Sequence, residues 1–97
     1  MNLQIMKERS DEVSTIMKHL GHPKKLLVLC SLAESKKSVG ELTEMCEVGQ
    51  SQMSHFLKRM ELEKLLGSER DGNHIYYFIN DLRIKKMIKQ LKNIFCS

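Results

Sequence analysis

The three cysteines, Cys30, Cys46 and Cys96, have the most reactive side chains in this chain. No Cys-x-x-Cys spacing occurs, so neither a zinc ribbon nor a thioredoxin-type motif is present. Three thiols cannot all pair within one chain. In a reducing compartment they rest as thiols, and a disulfide among them would act as a signal rather than a staple. A second constellation lies in the segment from Gln50 to Lys64. At about 100° per residue, Met53, Phe56, Leu57 and Met60 fall on one side of a helix, and Ser51, Ser54, His55 and Lys58 on the other. The apolar side anchors and the polar side faces outward. Short serines let the backbone approach a nucleic-acid groove, Gln50 and Gln52 can make bidentate contacts to adenine, and His55 can donate to a base edge or phosphate. Lys58 and Arg59 suit phosphate contacts, which fix register without reading sequence. The helix N-terminus itself favours an anion. Taken alone, the same polar side would read as an ordinary solvated face; its neighbours in the chain decide the matter.

Upstream, residues 3–20 read as a helix with Met6, Val13, Ile16, Met17 and Leu20 on one stripe. Gly21-His22-Pro23 breaks it, with Gly21 suited to the end of one helix and Pro23 to the first turn of the next. Residues 23–34 are apolar nearly all round, which predicts a central helix and a well-buried Cys30. Ser35-Lys36-Lys37 reads as a polar link. Ser38 and Glu41 fit a capping box that opens a short helix to about Glu47, with Leu42 and Met45 facing inward. A tight turn at Val48-Gly49 leads into the helix of the polar face, about Gln50 to Lys64. Two helices joined by a short Gly-containing turn are the signature of a helix-turn-helix.

Downstream, Leu66–Arg70 and His74–Ile79 flank Asp71-Gly72-Asn73, a strong hairpin signal. Arg70, Asn73 and His74 sit at its tip, within reach of a minor groove or flanking phosphates. Asn80 can cap a last helix from Asp81 to about Phe95. Ile84, Met87, Ile88, Leu91, Ile94 and Phe95 line one side of it, and Lys85, Lys86, Lys89 and Lys92 lie towards the other. The expected fold is mainly α with a β-hairpin wing, a winged helix-turn-helix in a single domain spanning residues 1–97.

Bulk composition narrows the function. The 97 residues carry a formal net charge of +4, which mildly favours a polyanionic partner. With 41% apolar residues, 5% aromatics and no Trp, the core must be filled by Leu, Ile and Met, and the seven methionines adapt to irregular gaps. The longest apolar run, Leu26–Cys30, falls well short of the ~20 residues of a membrane span. The start, Met1-Asn2-Leu3-Gln4, lacks the layout of a secretory signal, so the chain reads as cytoplasmic. No Gly-rich phosphate loop, paired carboxylates or Cys-His-Asp arrangement points to catalysis, and no cofactor is expected.

The order of elements, with Leu20-Gly21-His22-Pro23, Ser38-Val39-Gly40-Glu41-Leu42, Gly49–Leu57 and Arg70–Tyr77, resembles the ArsR-type (arsenic-repressor) family of winged-helix repressors over nearly the whole chain. The resemblance implies a homodimer, formed by the first and last helices, that binds double-stranded operator DNA. Two positions depart from the family: Lys64 stands where Gly is usual, and Glu69 lies in a wing often richer in Arg. Metal sensors of the family carry cysteine clusters on the third helix or Asp/His pairs on the last. Here Cys46 is alone on the third helix, the last helix holds no His, and no metal is expected. His19 and His22 read as incidental helix-end residues. Cys30 in Val28-Leu29-Cys30-Ser31-Leu32 and Cys96 in Ile94-Phe95-Cys96 resemble the paired-cysteine subgroup, the BigR, SqrR and HlyU type. That resemblance implies two sensor thiols responding to persulfides or oxidants, with Cys46 extra to the pair. The alternatives are a metal-responsive repressor of the same family, or an interaction module that uses the basic last helix without DNA.

Overall fold

In the computed structural model, which describes residues 2–96, Asn2 starts the first helix: its side-chain oxygen accepts from the amides of Gln4 and Ile5 at 3.0 and 3.3 Å. Helix α1 (Leu3–Leu20) ends at Gly21, and α2 (Pro23–Glu34) begins on the expected proline behind His22, whose Nδ1 accepts from the Lys25 amide at 3.4 Å. A short strand β1 (Lys37–Ser38) follows, then α3 (Val39–Cys46), α4 (Gln50–Leu62), β2 (Leu66–Asp71), β3 (His74–Ile79) and α5 (Leu82–Phe95). The capping box forms as expected: Ser38 N–H donates to Glu41 at 2.9 Å, and Glu41 N–H donates to the Ser38 hydroxyl at 3.1 Å. The three strands are antiparallel in the order β1-β3-β2.

The core sits where α2, α3, α4 and α5 meet the sheet. Val28, Leu29, Leu32, Leu42, Met53, Leu57, Met60, Leu66, Ile84 and Ile88 are almost wholly buried. Gly67 lies opposite Phe78, and a Cβ there would fall 2.6 Å from the Phe78 ring, so only glycine lets that ring close over the strand.

Several expectations need correction. The polar link hides β1, where Lys37 and Ser38 pair with Tyr77 and Tyr76; two residues are too few to display an alternating pattern. Met45 points to solvent at 54% exposure, and Cys46 takes the inward place. Helix α2 is not apolar-enclosed all round: Leu27 is exposed and Cys30 only half-buried. Asp81, not Asn80, caps α5, its carboxylate accepting from the Arg83 amide at 2.9 Å. The left-handed residue between α3 and α4 is Glu47 (φ 53°), while Gly49 is extended. The hairpin loop tightens to Gly72-Asn73, because Asp71 pairs with His74.

Helix α4 stops at Leu62, two residues earlier than expected, because Lys64 takes φ 64° and turns the chain into β2. A side chain costs roughly 1–2 kcal/mol in that region, whereas glycine enters it freely. Lys64→Gly is therefore expected to raise stability by up to about 1 kcal/mol, after glycine's greater unfolded-state entropy is deducted. Chemical denaturation checks this; a lowered midpoint would mean that Lys64 makes stabilising contacts which outweigh its strained backbone.

Helix α1 and the end of α5 remain largely outside the core. Of 18 residues in α1, only Ile16 and His19 are buried. Of the stripe read from the sequence, Met6, Val13 and Leu20 are half-covered and Met17 is exposed. Ile94 and Phe95 are 67% and 78% exposed, so the last turn of α5 does not join the core either. The radius of gyration, 14.1 Å, exceeds the roughly 12.5 Å expected of a compact chain this long.

Candidate functional site

Helix α4 divides as its periodicity requires. Met53, Phe56, Leu57 and Met60 are buried, whereas Gln50, Ser51, Gln52, His55, Lys58 and Arg59 are exposed and Ser54 is half-buried. The inner face packs against α3 and β2, which fixes the outer face on a rigid support. Arg59 also approaches Glu63, with Nε 3.9 Å from the carboxylate. On the hairpin, Arg70, Asn73 and His74 are all exposed at or beside the tip. Buried Tyr77 anchors β3 to the core behind them. Glu69, the acidic departure in the wing, is engaged by Lys36 at 2.5 Å, so its charge is locally compensated. Lys36 also lies 5.4 Å above the Tyr76 ring.

The thiols divide into two environments. Cys30 on α2 and Cys96, which ends α5, line one apolar cavity of about 200 Å³ with Leu26, Leu91, Lys92 and Phe95. Lys92 bridges the two helices, its Nζ donating to the Cys30 carbonyl at 3.0 Å and to Glu34 at 3.2 Å. Cys96 is exposed, and its amide donates to the Lys92 carbonyl at 2.8 Å. Burial pushes the Cys30 thiol above its ordinary range, and the Lys92 ammonium opposes that rise. Cys46 lies apart from this cavity, buried on α3 with its sulfur 3.8 Å from the Ser31 hydroxyl.

The half-buried Cys30 thiol, shifted upward, is little ionised at neutral pH, and the thiolate is the nucleophile. Alkylation of Cys30 by iodoacetamide is therefore expected to be slow at pH 7 and to accelerate into the alkaline range. Lys92→Met, which removes the cation that opposes the rise, should slow it further at a given pH. Peptide-resolved mass spectrometry measures both; an unchanged or faster rate in the variant would contradict the electrostatic assignment.

The histidines near the first helix junction have structural partners. His22 caps α2 and meets Phe56 edge-on at 5.1 Å between ring centres. His19 is buried at the end of α1 and pairs through Nε2 with the carboxylate of Glu63, just beyond α4. Nothing in the sequence marks that pairing, because the two residues lie far apart in the chain and neither belongs to a local motif. Among the described residues, no three His, Cys, Asp or Glu side chains are grouped so as to hold a metal ion. Among them too, no helix is long and apolar enough to cross a membrane.

A helix-turn-helix whose second helix exposes a polar face, followed by an antiparallel wing, defines a winged-helix transcriptional regulator. The chain belongs to the arsR family of bacterial regulatory proteins, whose sequence profile matches residues 22–66. It is similar to the HTH-type transcriptional regulator YgaV of Escherichia coli K12, with 38% identity over 88 residues, covering 90% of this chain and 89% of the relative. The crystal structure of the transcriptional repressor BigR from Xylella fastidiosa superposes with a TM-score of 0.90 at 30% identity, covering 100% of this chain and 99% of that one. Reduced HlyU from Vibrio cholerae superposes with a TM-score of 0.89 at 26% identity, covering 97% and 99%. The resemblance to the arsR family and to its BigR and HlyU members therefore holds.

Proposed function

We propose that the chain is a cytoplasmic, homodimeric repressor that grips double-stranded operator DNA while its thiols are reduced, and releases it when reactive sulfur species or oxidants bridge Cys30 and Cys96. The observation that carries this reading is the shared cavity, which brings two thiols remote in sequence against one small space between α2 and α5.

The bridge forms in two displacements. With an organic trisulfide as donor, the exposed Cys96 thiolate attacks the central sulfur and expels one small thiolate. The Cys30 thiolate then attacks that same sulfur and expels the second. Two protein thiols and one donor give a three-sulfur bridge and two small thiols, so the donor is reduced as the protein is oxidised. With a hydroperoxide, Cys96 becomes a sulfenic acid as the alcohol leaves. Cys30 then displaces water to close a disulfide, which requires Cα atoms within about 7 Å. Cellular thiols reverse either bridge by exchange. The shared cavity, which holds Cys30 beside Cys96, favours Cys30 for the second, intramolecular step.

A second copy of the chain accounts for the apolar surface left on α1 and α5. Leu3, Ile5, Leu82, Ile94 and Phe95 are exposed there, and a further apolar cavity of about 590 Å³ opens between Met17, Leu20, Leu26, Met87 and Leu91. The homology to repressors supports operator DNA as the ligand. Within such a dimer, Gln50, Ser51, Gln52, Ser54 and His55 read base edges, Lys58 and Arg59 hold phosphates, and Arg70, Asn73 and His74 reach from the wing. The two α4 helices must sit about one DNA turn apart, roughly 34–36 Å. A bridge that ties α2 to the last turn of α5 shifts the dimer helices and spoils that spacing.

Selection of genomic fragments by the reduced protein, followed by gel shift with and without an organic trisulfide, tests the reading. Retention of a discrete set of fragments by reduced protein and their release on treatment is the expected result. Indiscriminate retention, or release that reductant fails to reverse, would overturn it.

A further inference from the structure

A polar cavity of about 430 Å³ lies beside α4 and shares no lining residue with the thiol cavity. Lys18 enters it from the last turn of α1, Lys25 from the first turn of α2, and His55 and Arg59 from α4. Thr15, His19 and Glu63 complete it. Glu63 is already taken up by His19 and Arg59, which among the described residues leaves Lys18 and Lys25 as cations with no carboxylate within ion-pair distance. His19 itself is 6% exposed, and its Nδ1 is buried with no hydrogen-bond partner. Lys25 is held in place by the Phe56 ring, 5.4 Å from its Nζ, so its charge is positioned rather than floating. Nothing in the fold requires two lysines here: the α1–α2 junction is already closed by Gly21, His22 and Pro23.

We infer that this cavity seats a phosphate group of the DNA backbone next to the bases read by α4, with Lys18 and Lys25 as the cations that hold it. The inference rests on the DNA-binding reading above and extends its footprint to the α1–α2 junction. His55 lines the cavity and is also exposed on the outer face of α4, so a phosphate here lies directly alongside the base-reading side chains. Occupancy would fix how deeply α4 enters the groove. It would also join α1, a dimer helix, to the DNA.

Each phosphate neutralised by a cation contributes about 0.9 to the slope of log affinity against log salt on duplex DNA. The test compares wild type with Lys18→Gln, Lys25→Gln and the double variant on a generic duplex and on a selected operator fragment. Lys89→Gln, at an exposed position of α5, removes one charge as each single variant does and serves as the control. The double variant is expected to shallow the slope by about 2 across a dimer, one phosphate per protomer, on both DNAs. Lys89→Gln should leave the slope as in wild type. Lys25→Arg keeps the charge over Phe56 and should retain the wild-type slope, which separates loss of a phosphate contact from loss of packing. A double variant whose slope equals that of Lys89→Gln, while wild type binds, would overturn this inference alone. Failure of wild type to bind any duplex would overturn it together with the DNA-binding reading.

Discussion

Cys30→Ser and Cys96→Ser are each expected to bind operator DNA as the reduced wild type does and to keep it after exposure to an organic trisulfide or hydroperoxide. Under the same treatment the wild type should lose affinity about 5- to 150-fold, corresponding to a coupling of about 1–3 kcal/mol between bridge and DNA. The serine hydroxyl nearly matches the thiol in size, so folding should be preserved in both variants. The half-buried position of Cys30 and the exposed position of Cys96 make strain from either replacement small. Cys46→Ser should leave the response intact, since Cys46 is buried on α3 and does not line the cavity. Its burial makes that variant the less stable of the three. Release of DNA by both Cys30→Ser and Cys96→Ser after treatment would show that some other group carries the response.

The second large effect concerns the outer face of α4. Replacing Gln52 and His55 by alanine removes side chains that are exposed and contribute nothing to the core. Thermal stability should therefore stay within about 0.5 kcal/mol of wild type. Each lost base contact costs about 1–3 kcal/mol of discrimination, and a dimer loses it in both half-sites. Each single variant should thus weaken operator binding by about 2–6 kcal/mol. Affinity for random duplex should change little. Lys58→Gln should behave in the opposite way, weakening all duplexes alike. Fluorescence anisotropy on selected and scrambled fragments distinguishes the two patterns. Equal losses on both DNAs for Gln52→Ala would assign that side chain to the backbone rather than the bases.

How much of this was legible beforehand depends on the range of the interaction. Local devices were readable because their chemistry lies within a few residues. The Ser38–Glu41 box, Pro23 at a helix start, the Asp71-Gly72 hairpin and the two-sided periodicity of α4 all appear in the structure. The family resemblance singled out Cys30 and Cys96, which spacing alone does not, and the structure has both lining one cavity. Features fixed by tertiary contact were hidden. Strand β1 exists only because β3 passes beside it. Met45 and Cys46 exchange roles because one step around a short helix separates solvent from core. Asn80 and Asp81 are both competent caps; the Asn80 backbone N–H donates to the Leu65 carbonyl at 2.9 Å, and the cap falls to Asp81. The left-handed turn at Lys64 is a backbone position that glycine enters freely, which composition and periodicity could not reveal.

The apolar stripe of α1 teaches the complementary point. Periodicity placed its residues on one face correctly, yet most of that face meets no core within the chain. A stripe records that something covers it, without saying whether the cover is the same chain or another copy. Replacement of Ile94 by Glu, on the exposed last turn of α5, should therefore shift the protein towards monomer in sedimentation equilibrium. An unchanged dimer would place the subunit contact elsewhere.

The proposed switch is met most directly by peptide mapping of wild-type protein after release from DNA by an organic trisulfide. Trypsin separates Cys30, in the peptide Leu26–Lys36, from Cys96, in the peptide that begins at Asn93. The two peptides should be recovered joined by a sulfur bridge, in proportion to the DNA released, and should separate on reduction. Full release of DNA with both peptides recovered unlinked would contradict the mechanism.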